Sequence, residues 1–135
     1  MKIQRVIAGM IAAILLSGCA SLTPEVQHLQ QEAEHGNATA MFDLGCAYYY
    51  GEGAPQDYDT ASKWYKQAAE KGNVDAMYNL GGMYLYGRGV TIDYAEAARW
   101  YRMAAAKGDV NSAKQLEEMQ HVNHVICSSK KNHIP

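Results

Sequence analysis

Gly36, Gly72 and Gly108 stand 36 residues apart, and their surroundings return at the same interval: Gly51/Gly53 as Gly87/Gly89, and Trp64-Tyr65 as Trp100-Tyr101. A fixed period of this size means one supersecondary unit copied and stacked, each copy burying its apolar side on the next. The chain must therefore extend as an array. Binding or chemistry is to be sought on a continuous surface before any enclosed catalytic pocket.

Within one period the apolar spacing is helical twice, with a glycine-rich break between. Ala40, Met41, Leu44, Gly45 and Tyr48 form one stripe, and Ala61, Trp64, Tyr65, Ala68 and Ala69 another. Each repeat therefore reads as a helical hairpin. Helix A is expected over 37–50 and 73–86, and helix B over 57–71 and 93–107. Gly36, Gly72 and Gly108 close the B helices in the left-handed conformation, and Asn37, Asn73 and Asp109 cap the A helices that follow. Asp57 and Asp93 are the expected caps of the B helices, and Asp93-Tyr94-Ala95-Glu96 has the spacing of a capping box. Gly51-x-Gly53 and Gly87-x-Gly89 follow no strand and precede no Lys-Ser/Thr, so they read as tight turns rather than phosphate loops.

Two partial units flank the whole ones. Glu25 to His35 aligns with the second half of helix B, and Asp109 to about His121 aligns with helix A through Ala113 and Leu116. The expectation is an all-α solenoid over 25–121: two full repeats, 37–72 and 73–108, between two half-repeats that cover the exposed ends. Residues 122–135 are expected to be a polar tail, disordered from Ser128 onward.

Ala76-Met77-Tyr78-Asn79-Leu80-Gly81, Tyr84, Gly87-x-Gly89-Val90, Asp93-Tyr94, Ala97, Trp100-Tyr101, Ala104-Ala105 and Gly108 resemble the Sel-one-like repeat (SLR), a relative of the tetratricopeptide repeat. The first copy departs mainly at Ala54 and Ser62. The resemblance implies an α/α right-handed superhelix with the A helices along the concave face, and a role as adaptor or scaffold rather than one particular activity.

With Ala40, Met41, Leu44, Gly45 and Tyr48 taken as buried, a rotation of 100° per residue turns Phe42, Asp43, Cys46 and Tyr50 to the other side, flanked by Tyr49. A shift of one period adds Tyr78, Asn79, Gly82, Leu85 and Tyr86, and a second adds Lys114, Gln115 and Glu118. Tyr50 and Tyr86 lie beside the glycine turn, which favours packing on helix B. Phe42 and Tyr78, farther round, favour the open groove. Phe42, Asp43, Tyr49, Tyr50, Tyr78, Asn79, Tyr86, Lys114 and Gln115 together stand as candidate residues for binding a protein or peptide.

Lys2 and Arg5, the apolar run from Val6 to Leu16 and then Ser17-Gly18-Cys19 have the order of a signal peptide over 1–18. Leu16-Ser17-Gly18-Cys19 resembles the lipobox of bacterial lipoproteins, which implies diacylation of Cys19, a short linker over 19–24 and membrane attachment by lipid. Ala20, where Asp would mark inner-membrane retention, implies the outer membrane facing the periplasm. Beyond the leader, ten Lys/Arg against fourteen Asp/Glu leave a formal charge of −4 and no basic stripe, which argues against nucleic acid.

Chemistry finds little support. Cys46 and Cys127 are the two cysteines beyond Cys19, and pairing, free thiols or a bridge to another chain all stay open. His121, His124 and Cys127 recur every third residue without a fourth ligand, and no metal or cofactor is expected. Ser128-x-x-Lys131 matches the spacing of penicillin-recognising enzymes without their partner motifs. Cysteine-rich proteins with such repeats, linked to β-lactam hydrolysis, carry a Cys pair per repeat, whereas Cys46 has Gly82 as its counterpart. A non-enzymatic, lipid-anchored periplasmic scaffold is the favoured expectation. The resemblance also leaves room for an immunity protein that neutralises a secreted lipase-type toxin, and less for a β-lactamase-like enzyme.

Overall fold

The computed structural model describes residues 21–131, and their side chains through residue 123. The leader and Cys19 lie outside the described residues. Six helices follow one another: α1 (Pro24–Glu34), α2 (Ala38–Tyr50), α3 (Tyr58–Glu70), α4 (Val74–Tyr86), α5 (Tyr94–Ala106) and α6 (Val110–Lys131), with no strand among the described residues. Each helix packs on the next, so α2/α3 and α4/α5 are the two hairpins, α1 is a lone B helix and α6 a lone A helix. The architecture is the expected all-α solenoid.

The caps explain why the helices start where they do. Asn37 accepts from the Thr39 and Ala40 amides at 3.0 and 3.2 Å, Asp57 from Asp59 and Thr60 at 3.0 and 3.2 Å, and Asp109 from Ser112 at 2.8 Å. The capping box at Asp93 is only half formed. Asp93 accepts from the Ala95 and Glu96 amides, but its own N–H already donates to the Tyr84 carbonyl at 3.0 Å, so Glu96 pairs with Arg99 at 2.9 Å instead. The first helix begins earlier than expected: Thr23, placed in the linker by sequence, caps it through the Val26 amide, and Pro24 is its first residue.

The hairpins close through a gap left by glycine. A methyl group on Gly45 would lie 2.6 Å from the Tyr65 ring, and one on Gly81 2.8 Å from the Tyr101 ring. Both tyrosines are buried, as are Leu44, Leu80, Met77 and the alanines of the repeat. Glycine plays a different part in the loops. Gly89 has φ +66°, and a Cβ there would come within 2.1 Å of the Tyr58 carbonyl, so the second loop lies directly against the start of α3, where Ser62 Oγ donates to the Gly89 carbonyl at 3.3 Å.

The last helix departs from the sequence reading in two ways. It runs on to Lys131, through the stretch expected to be a tail from residue 122, because no glycine or proline interrupts 110–131. Its inward face also differs: Ser112 is wholly buried, Leu116 half-buried and Ala113 exposed. Among the described residues, α6 packs on α5. Glu117 occupies the register of Gly45 and Gly81 and is exposed.

Two glycine substitutions should separate strain from collision. Gly108→Ala, at φ +97° with open space around it, should cost about 1 kcal/mol, whereas Gly89→Ala should cost at least about 2 kcal/mol in urea unfolding. At Asp57, hydrogen bonds from the Thr60 side chain and amide hold the carboxyl below its ordinary value of 3.8. Its stabilisation is therefore full above that value and is lost as pH falls through the lower folded value. Asp57→Asn should melt below the parent at pH 7, and the difference should shrink as the medium is acidified below the carboxyl's ordinary value.

Candidate functional site

The A helices α2, α4 and α6 present one cleft of about 190 Å³, lined by Tyr49 and Tyr50 from α2, Tyr78, Asn79, Gly82 and Tyr86 from α4, and Gln115 from α6. Its floor comes from the B helices, through Tyr65 and Tyr101. Arg88, from the second glycine loop, stands at its edge. Six of the nine sequence candidates thus meet: Tyr49, Tyr50, Tyr78, Asn79, Tyr86 and Gln115. Phe42, Asp43 and Lys114 do not line it.

The roles of the aromatic pairs are the reverse of the expectation. Tyr50 and Tyr86, expected to pack on helix B, are 62% and 64% exposed. Phe42 and Tyr78, expected to project, are half-buried against the floor, their rings 5.7 Å from Tyr65 and from Tyr101 respectively. The cause is the glycine gap. It draws the Tyr65 and Tyr101 rings through the hairpin to the side of Phe42 and Tyr78, which then cover them. Asp43 lies instead in a shallow hollow beside α1 with Thr23, Glu25, Cys46 and Glu52, and Lys114 is exposed on α6.

The floor offers neutral hydroxyls. Burial pushes the Tyr65 phenol far above its usual range, as does its hydrogen bond to Cys46 Sγ at 3.3 Å, with the Asn79 side chain acting the other way. Burial likewise raises the Tyr101 phenol, helped by the neighbouring Tyr78 and Tyr86. Burial also raises the Cys46 thiol, so it is a poor nucleophile. Cys46 has Gly82 as its repeat counterpart, and a methyl group there would sit 3.5 Å from the Tyr101 hydroxyl. The absence of a side chain at Gly82 keeps that hydroxyl open to the cleft. The side chains of His124 and Cys127 lie outside the described residues, and no group of three or more His, Cys, Asp or Glu among the described residues is placed to hold a metal ion.

Three cleft residues escaped the sequence reading. Tyr65 and Tyr101 were assigned to scaffold because they repeat, although a buried tyrosine still has to place its hydroxyl. Arg88 stands where the first repeat has Glu52, a charge reversal inside an otherwise repeated Gly-x-Gly loop. That contrast between copies was the available signal. Arg88 donates to the Tyr49 hydroxyl, and its guanidinium carbon lies 5.7 Å from the Tyr49 ring centre and 5.8 Å from that of Tyr86.

The Sel1 repeat model matches residues 38–73 and 74–109, in register with the two hairpins. Among solved structures, a protective antigen of uropathogenic Escherichia coli with an SLR fold is 40% identical over 73% of this chain and 21% of its own, with a TM-score of 0.70. A Sel1 repeat protein from Oxalobacter formigenes is 37% identical over 67% of this chain and 26% of its own, at 0.66. The chain thus spans about a fifth to a quarter of those relatives. Cysteine rich protein B of Helicobacter pylori shares the fold at 23% identity, over 67% of this chain and 68% of its own, at 0.65. No curated protein matches the sequence. The two adjoining repeat matches, each coinciding with one hairpin and its closing glycine, make this chain a member of the Sel1 repeat family.

Proposed function

We propose that the chain is a lipid-anchored protein-binding scaffold of the bacterial envelope, which clasps a segment of a partner in the tyrosine cleft. Sel1 repeat proteins are in general non-enzymatic scaffolds whose fold mediates protein–protein binding. The observation that carries the reading here is the convergence of Tyr50 and Tyr86, largely exposed and one repeat apart, over a floor of buried tyrosine hydroxyls. Rigid aromatics with few torsions bind at low entropic cost, and Asn79 and Gln115 add amides that fix a peptide backbone. The cleft lining holds no carboxylate, histidine or cysteine to move a proton, which favours binding over turnover.

The leader and Cys19 support attachment by lipid, with the solenoid starting four residues after Ser17-Gly18-Cys19-Ala20, at Pro24. None of the described helices is long and apolar enough to cross a membrane. An antigen among the relatives fits display at the envelope. Ala20 favours the outer membrane, periplasmic side.

Replacing both rim tyrosines, Tyr50→Ser with Tyr86→Ser, should leave the melting temperature within about 2 °C of the parent and weaken capture of the partner from envelope extracts at least about tenfold. Loss of folding, or capture that survives the change, would refute the assignment. Cys19→Ala should abolish incorporation of labelled palmitate and release the chain from the membrane fraction into the soluble one.

A further inference from the structure

The cleft does not end at its own rim. Tyr86 and Gln115 also line a second hollow, of about 370 Å³, over α6, where Leu85, Tyr94, Met119 and Val122 supply an apolar wall. The two hollows therefore form one groove across successive A helices. Its ends differ in chemistry. Arg88 is the one charged residue lining the cleft, and the single ion pair among the described residues is Arg99 with Glu96, so Arg88 pairs with no described carboxylate. The Tyr49 hydroxyl occupies one of its donors, and the Tyr49 and Tyr86 rings flank the guanidinium, which leaves the rest of the fork held in place and open to solvent.

We propose that this groove takes an extended segment of a protein partner that places an aspartate or glutamate at Arg88 and an apolar side chain in the hollow over α6. The inference rests on the cleft being a protein-binding surface, and adds the chemistry of what it binds. Gln115 to Val122 covers about 10 Å of helix, the length of roughly three extended residues. Tyr94 and Val122, 62% and 56% exposed, offer apolar surface that a partner side chain would cover. Charge fixes which end receives the acid. Glu118, hydrogen-bonded to Gln115 at 3.1 Å, lines the α6 hollow, and Glu25, Asp43 and Glu52 surround the hollow on the first-repeat side. Arg88 is thus the cationic point between two acidic neighbourhoods.

The test is an array of synthetic dodecapeptides in which an acidic, neutral or basic triplet is joined, in either order, to an apolar or polar triplet, probed with the purified full-length chain. Acidic–apolar peptides should be retained about tenfold more strongly than basic–apolar ones, with the gap closing as salt is raised. Arg88→Glu, at an exposed loop position, should transfer the preference to basic peptides without moving the melting temperature. Met119→Ser should remove the advantage of the apolar triplet. An acidic preference that survives Arg88→Glu overturns the inference. Retention that ignores charge yet is lost with Tyr50→Ser/Tyr86→Ser also overturns it, while leaving the cleft a binding surface. Retention of no peptide class overturns both.

Discussion

The contact on which this molecule depends is a tyrosine ring seated on a glycine of the facing helix, Tyr65 on Gly45 and Tyr101 on Gly81. A Cβ at either glycine would come within 2.6 and 2.8 Å of the ring, so any other residue there forces the ring or the helix to shift. This close approach sets how near the two helices of each hairpin come, and so the pitch at which hairpins stack. It also carries the phenol through the packing, so that an otherwise structural residue ends as the floor of the cleft. Scaffold and site are therefore not separable here. A smaller residue at Tyr65 would open a void in the core and remove part of the cleft floor in one step.

The repeat contact has no counterpart on the last described helix. A third tyrosine-bearing helix would need a glycine at the next register position, where α6 has Glu117, exposed to solvent. The same helix keeps Ser112 inside and turns Ala113 outward, and its Met119 and Val122 line the groove. The last helix thus does more than cover an edge, because its Met119 and Val122 complete the apolar wall begun by Leu85 and Tyr94 of the second hairpin.

The fold was legible because its determinants are local and duplicated: Asn37, Asp57, Asn73 and Asp93 cap where their spacing says they cap, and the stripe Ala40, Met41, Leu44, Gly45 marks the inward face. The site was half legible. A uniform rotation of 100° per residue gathered Tyr49, Tyr50, Tyr78, Asn79, Tyr86 and Gln115, yet it assigned the wrong depth to the aromatics. Depth depends on what the opposite helix inserts, and nothing within α2 or α4 reveals that Tyr65 and Tyr101 reach across to meet Phe42 and Tyr78. The length of α6 was missed for a different reason. Polar composition argued for a tail, whereas the absence of glycine and proline from 110–131 was the stronger constraint on the backbone.

Residues that repeat hold the frame, and departures between copies set the chemistry of its surface. Four pairs show the division. Cys46 becomes Gly82, so one tyrosine hydroxyl is covered by a thiol and the next is open. Tyr49 becomes Leu85, changing a polar aromatic wall to an apolar one. Asp43 becomes Asn79, which takes a charge away from the second copy. Glu52 becomes Arg88, which reverses the sign at the turn. All four changes lie on the A helices or in the glycine loops that follow them, and their second-copy members Asn79, Gly82, Leu85 and Arg88 line the groove, while the paired glycines, tyrosines and caps stay fixed. A partner crossing this surface therefore meets a graded sequence of environments on one regular lattice, acidic beside α1, cationic and aromatic at the centre, apolar over α6. Recognition by such a surface follows from the order of those environments, with the 36-residue period setting the spacing at which they must be matched.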